Sequence, residues 1–305
     1  MNSFPPDNIP APHEGQPDRF AATPLPGAGP AEPLPEFSSR PEFETQQLTG
    51  RPLRANSRTP FRGIDLVYLV LFYFIAGGVL TVIVAAGAFV FFGISPAALR
   101  SSTADWASVL IISQALLSGA TLIFLYTVVR GRSAAPFWQT MGWRGFRNMA
   151  SSGSVMLRYV FGGFALAVVV GWLGNFVGRE SGIPMEELFR SRQSVLMLMA
   201  LGILVAPVVE ETIFRGCIYP VIARKFGITT GILATGALFG LAHAQQLGGA
   251  WGQIGLLVCV GIVLTYVRAR AGTVAASYFV HLGYNTILFA GFYIATGGLR
   301  QLPGA

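Results

Sequence analysis

The chain has 305 residues, 52% of them hydrophobic and only 11% charged, with a formal net charge of +7. Soluble domains carry about 25% charged residues, so a water-soluble enzyme, a disordered regulator and a secreted disulfide scaffold all fit this composition poorly. The positive charges stand singly between apolar runs instead of forming a basic stripe, which points to membrane orientation and away from nucleic acid.

Residues 1–60 form a distinct segment that holds thirteen of the nineteen prolines and seven of the fourteen acidic residues. From Phe4 to Pro41 there is no helical or strand period. Such a chain buries too little apolar surface to offset its ordering entropy, so a disordered, Pro-rich tail is expected here, with a partner for the tail as its candidate role. It has no basic start followed by an apolar core and so does not read as a secretory signal peptide. His13 lies in this tail and is assigned no role.

From residue 61 onward the pattern changes. A helix needs about 20 apolar residues to cross a hydrocarbon core of ~30 Å. Uncharged runs near that length cover Leu66–Gly93, Trp106–Val129, Tyr159–Gly178, Gln193–Val209, Phe226–Ala242, Ala244–Val267 and Ala271–Leu299. They lack period-two alternation, which decides for helices over a closed barrel. The expected fold is therefore all-α: a polytopic membrane bundle of about seven transmembrane helices, in one domain over residues 61–305.

Arginine placement sets the expected orientation. Arg51, Arg54, Arg58 and Arg62 precede the first run, and Arg130, Arg132, Arg144, Arg147 and Arg158 separate the second from the third. Arg215, Arg224 and Lys225 follow the fourth, and Arg268 and Arg270 follow the sixth. The positive-inside rule then makes the N-terminus cytoplasmic in a multi-pass protein of the cell membrane. Between the second and third runs, Phe137, Trp138, Trp143 and Phe146 among arginines predict an interfacial helix over Pro136–Arg147. Cys217 and Cys259 have no CxxC spacing and indicate neither a disulfide framework nor a thiolate metal site.

Beyond residue 60 only seven acids occur, and two of them, Glu210 and Glu211, interrupt an apolar stretch. An ionisable group at membrane depth costs at least ~2.5–3.5 kcal/mol, so it usually faces a protein-lined or watery interior. Glu211 and Arg215 are four apart on one face, which predicts a mainly structural ion pair. Glu210 lies about 100° round the helix with no basic residue four further on, and needs another reason to be there. His243 ends one apolar run and His281 lies inside the last. Asn285 follows His281 by four residues, which puts both on one helical face turned into the bundle. One carboxylate, two imidazoles and one amide on three apolar segments point to a converging polar site. Counting ~1.5 Å per residue, however, puts Glu210 and His281 near the cytoplasmic side and His243 nearer the outer side.

Three motifs sharpen the picture. Glu210-Glu211-Thr-Ile-Phe-Arg215 fits EExxxR, Phe239-Gly-Leu-Ala-His243 fits FxxxH, and His281-Leu-Gly-Tyr-Asn285 fits HxxxN. In this order, over about residues 195–295, the chain resembles the CPBP family, which joins type II CAAX prenyl endopeptidases with bacteriocin-processing and self-immunity proteins. The resemblance implies an intramembrane endopeptidase acting on a membrane protein or peptide. It implies that Glu210 and His243 bind and deprotonate a water, and that His281 and Asn285 donate to the oxyanion, with Glu211, Arg215 and Phe239 in support. Glycines Gly231, Gly236 and Gly240 would let helices close around such a site.

Two alternatives stay open at this level. Glu210, His243 and His281 are a three-ligand set suited to zinc with an open position for water. The HExxH helix of zinc proteases is absent, and the resemblance favours a metal-free, glutamate-dependent mechanism with no cofactor. The same buried groups would also serve a non-proteolytic immunity or scaffold protein, or an ion-coupled transporter, although no inverted repeat is visible. Twenty arginines against one lysine point to a GC-rich bacterial genome, and so to a leader or membrane peptide as substrate more than a prenylated one.

Overall fold

The computed structural model describes residues 59–177 and 188–302. The Pro-rich tail, apart from its last two residues, lies outside them, as do the acids Glu180, Glu186 and Glu187. Every regular element described is helical: α1 (Gly63–Phe92), α2 (Pro96–Ser101), α3 (Thr103–Arg130), α4 (Phe137–Thr140), α5 (Phe146–Ser151), α6 (Gly153–Gly174), α7 (Arg192–Phe226), α8 (Ile228–Ala242), α9 (Trp251–Ala271) and α10 (Val274–Ala295). The chain is a multi-pass, all-α membrane protein.

Five helices, α1, α3, α6, α7 and α9, are long and apolar enough to cross a membrane, against the seven spans expected. The difference lies at α8 and α10. Helix α8 has 15 residues, about 22 Å at 1.5 Å each, short of a full crossing. Helix α10 has 22 residues, long enough, but its polar His281, Asn285 and Ser277 dilute its hydropathy.

The largest correction concerns α7. The apolar run ended at Val209, whereas the helix continues to Phe226 and is 35 residues long. Hydropathy stopped at the first carboxylate because it scores charges as if exposed. Here Glu211 and Arg215 are both fully buried and neutralise each other, so the helix passes through them. Within α7, Leu201–Val205 and Thr212–Ile218 are π-helical. Each ends two residues before a proline, Pro207 and Pro220, whose missing amide leaves a carbonyl one turn back without its partner.

The expected interfacial helix over Pro136–Arg147 is instead two short helices, α4 and α5, joined through Gly142 and Gly145, both at positive φ. Phe137 and Met141 point inward and are buried. The Trp143 indole N–H donates to Thr212 Oγ1 of α7 at 3.0 Å, which ties this segment to the central helix.

Packing around α7 uses close helix approach where glycines allow it. A Cβ on Gly236 of α8 would lie 2.7 Å from Ile262 N of α9, and one on Gly261 of α9 would lie 2.7 Å from Gly236 O. Helices α6 and α10 meet in the same way at Gly163 and Gly283, where a Cβ on Gly163 would lie 2.7 Å from Tyr284 N. On the other flank α1 packs on α3 through stacked Phe72 and Phe124, 4.7 Å between ring centres. The start of α1 is anchored by buried Asp65, which accepts two hydrogen bonds from Arg132, the Nη2–Oδ1 bond being 2.9 Å. From the end of α7, Arg224 donates to the carbonyls of Thr59 and Phe61. Much of α1 is exposed, Phe74 and Phe91 among its residues, as a lipid-facing helix should be.

Candidate functional site in the membrane core

Helices α7 and α8 form an antiparallel hairpin that turns at Gly227, which has φ +87°. Ala223 and Gly231, each four residues from the turn, touch. Phe214 and Phe239, thirteen before and twelve after, are 5.2 Å apart in T-shaped contact. Glu210 lies seventeen before the turn and His243 sixteen after, so the register of the hairpin carries them to the same level. This removes the mismatch of depth that the apolar runs imposed. Glu210 is eighteen residues into α7 and sixteen from its end, near the middle of the helix.

Glu211 is the centre of a buried polar cluster. Its Oε1 accepts from Arg215 Nη1 at 2.9 Å and from His281 Nδ1 at 3.0 Å, and neither acid nor arginine is exposed at all. Arg215 Nη2 donates to Gly261 O at 2.9 Å, and its guanidinium lies over the Phe239 ring, 4.7 Å from the centre. The structural pair expected for Glu211 and Arg215 is present, and it reaches further than the sequence indicated, because it also holds His281.

Glu210 differs from its neighbour. Its side chain is 26% exposed, and its Oε2 lies 3.8 Å from His281 Nε2. The two carboxylates therefore face the two nitrogens of one imidazole, Glu211 sealed behind it and Glu210 open in front. A carboxylate accepts only, so His281 Nδ1 carries a proton, and its Nε2 is directed toward Glu210.

His243 sits at the C-terminal end of α8, where its Nδ1 lies 2.8 Å from Phe239 O. A carbonyl also accepts only, which fixes the proton on Nδ1 and leaves Nε2 with its lone pair in the neutral ring. The Phe239 ring lies between the imidazoles, 5.0 Å from His243 and 5.8 Å from His281. Phe239 is 2% exposed and keeps solvent off the rear of both.

Asn285 has a partner within the bundle. Its Nδ2 donates to Gly202 O at 2.7 Å. The physical reason is the π-turn. Ala206 N–H reaches back five residues to Leu201 O, so Gly202 O would fall to residue 207, which is a proline with no N–H. Asn285 supplies the missing donor and keeps one amide hydrogen in reserve.

Sequence reasoning missed three participants: Gly202, the Gly261 carbonyl, and a polar pair on the helices without motifs. In that pair Gln114 Nε2 of α3 donates to Tyr73 Oη of α1 at 3.2 Å, and the phenol is within electrostatic reach of Glu210. The available signals were Pro207 and Pro220 inside a helical run, and Tyr73 and the lone Gln114 inside apolar ones. Among the described residues, no group of three or more His, Cys, Asp or Glu side chains is arranged to hold a metal ion.

In class, then, this is a helical membrane protein with an acid–histidine site enclosed between α7, α8 and α10. Residues 192–287 match the family described as type II CAAX prenyl endopeptidase Rce1-like, so the resemblance read from the three motifs is borne out over that stretch, which contains every residue of the site from Glu210 to Asn285. Among curated proteins, the chain is 25% identical over 162 residues to CAAX prenyl protease 2 of Arabidopsis thaliana, covering 45% of this chain and 50% of that one. It is 30% identical over 132 residues to an uncharacterized 24.3 kDa protein of Escherichia coli, covering 40% and 59%. A Bacillus subtilis protein, YdiL, whose name proposes a membrane peptidase, is 26% identical over 112 residues, covering 37% and 43%. The chain thus spans about half the length of the curated relatives it matches. No solved structure matches it.

Proposed function

We propose that the protein is an intramembrane endopeptidase that hydrolyses a peptide bond of a membrane-associated protein or peptide with a water activated by Glu210 and His243. The observation that carries this reading is the asymmetry of the two carboxylates around His281: one sealed and paired, the other partly exposed at mid-helix and, among the described residues, paired with no arginine. A structural network has no use for the second carboxylate. Catalysis has one, as a general base.

In the proposed reaction His243 Nε2 accepts a hydrogen bond from the water and Glu210 removes its proton as oxygen attacks the scissile carbonyl. The oxyanion is met by Nε2–H of a protonated His281 and by the free amide hydrogen of Asn285. Glu211 orients the His281 ring through its 3.0 Å bond to Nδ1. Arg215 holds Glu211 in place through the 2.9 Å bond between them. Collapse of the intermediate breaks the C–N bond, and Glu210 returns the proton to the leaving amine. Donors fixed in a water-poor cavity stabilise such an oxyanion by about 2.7–4 kcal/mol each. No metal takes part in this scheme, in which Glu210 and His243 do the work a zinc ion would otherwise do on the water. The proposed setting is the bacterial cell membrane, with the N-terminus cytoplasmic and a leader or membrane peptide as substrate.

The test is to compare wild-type and Glu210→Gln cells for the termini of membrane proteins and peptides, with protein levels matched. Gln keeps the shape and removes the base, so processing should fall by about 10²–10⁴-fold while the protein stays folded. Identical termini in both would refute the protease reading and favour a scaffold.

A further inference from the structure

The end of the bundle that carries the Gly142–Arg144 segment holds a charge the proposed chemistry does not use. Arg268, in the last turn of α9, is only 4% exposed, and its Nε is enclosed with no hydrogen-bond partner. The described acids are all accounted for elsewhere. Asp65 pairs with Arg132, Glu211 with Arg215 and His281, Glu210 faces His281, and Asp105 begins α3. None lies within ion-pair distance of Arg268 among the described residues. Glu211 acts on Arg268 electrostatically but is bonded to Arg215 and His281; a buried cation with no directly paired acid is costly, and the dipole at a helix C-terminus offsets only a small part of that cost.

Gly142 lies flat against the Arg268 guanidinium: a Cβ there would come within 2.7 Å of Nη2. The same loop is tied down beside it, since Thr273 Oγ1 donates to Arg144 O at 2.6 Å and Val274 N donates to Gly142 O at 2.9 Å. This fixes a second cation, exposed Arg144, next to the first, and the two interact electrostatically, as do Arg268 and Tyr219. The Tyr219 side chain is 4% exposed. Nearby aromatic rings form a cluster in which Trp138, Trp143, Phe146 and Tyr278 pack edge to face or tilted. Aromatic clusters of this kind mark the headgroup level of a bilayer, where anionic lipid phosphates meet basic pockets between helices.

We propose that Arg268, with Arg144 and the Tyr219 hydroxyl, forms a binding site for the phosphodiester of an anionic lipid headgroup. The guanidinium supplies a planar donor fork suited to two phosphate oxygens, Arg144 adds the second positive charge, and the phenol donates to a third oxygen.

The experiment uses the full chain in maltoside micelles and reads its melting temperature after adding phosphatidylglycerol, phosphatidylcholine or inorganic phosphate. Native mass spectrometry counts retained lipid in parallel. Phosphatidylglycerol should raise the midpoint by about 5 °C over phosphatidylcholine when well above its dissociation constant, with one lipid retained. Arg268→Met should abolish that rise and melt no lower than wild type without lipid, because it deletes an uncompensated buried charge. Equal midpoints in the two lipids, or a full rise kept by Arg268→Met, would overturn the site. No rise with inorganic phosphate supports a lipid source, while a rise equal to that from phosphatidylglycerol would overturn the lipid in favour of a soluble phosphate. Should Arg268→Met not fold, exposed Arg144→Gln carries the test: a reduced rise supports the site and an undiminished one refutes it.

Discussion

The pairing of Glu211 with Arg215 makes a quantitative prediction. Both side chains are fully buried, and three contacts hold them: the 2.9 Å bond between them, the 3.0 Å bond from His281 to Glu211, and the 2.9 Å bond from Arg215 to Gly261 O. Glu211→Gln leaves the shape intact but strands a guanidinium with no counter-charge, which should cost about 3–5 kcal/mol. Arg215→Met strands the carboxylate, which keeps its bond from His281, at a similar cost. The double variant Glu211→Gln/Arg215→Met strands neither. Gly261 O then still accepts from Thr265 Oγ1 at 2.7 Å, so the double variant should cost no more than either single one, a coupling of about 3 kcal/mol. Unfolding free energies from detergent titration of the three variants close the cycle. Single losses that add to the double loss within ~0.5 kcal/mol would refute the claim that these charges neutralise each other inside the bundle.

Three further outcomes are expected. Gly283→Ala would bring a Cβ against the Val160 backbone, 3.1 Å from its Cα, and should lower stability by about 1–3 kcal/mol by prying α6 from α10; a neutral effect in thermal unfolding would contradict the close contact. Trp143→Phe removes the bond to Thr212 Oγ1 and should cost about 0.5–1.5 kcal/mol in the same assay, with no loss at all counting against the docking of the α4–α5 segment on α7. If the hydrolysis proceeds without a metal, activity in proteoliposomes should survive prolonged chelation, and activity lost to chelator and restored only by zinc would overturn that part of the mechanism.

Much of this was legible in the residues alone. A helix in lipid must satisfy its own backbone and offer apolar side chains outward, so the class of fold follows from hydropathy. Scarcity did the rest: with seven acids and two histidines after residue 60, Glu210, Glu211, His243 and His281 stood out, and their spacing supplied the motifs. Close helix approach along α8 was likewise readable from Gly231, Gly236 and Gly240, the first of which meets α7 and the other two α9.

Only the folded chain decided how long α7 is, how deep its acids lie and which partner each one takes. Hydropathy charges the full desolvation cost to every ionisable residue, and so it broke the helix at Val209. Tertiary contacts cancel that cost through Arg215 and His281, and the helix runs on to Phe226. Asn285 was drawn to Gly202 O by a carbonyl that Pro207 could not serve, a need created by a π-turn and invisible to a pattern of spacings. Periodicity records which faces a helix offers to lipid or protein. Which polar atom meets which depends on groups as far apart as residues 202 and 285, and distance along the chain carries no trace of that.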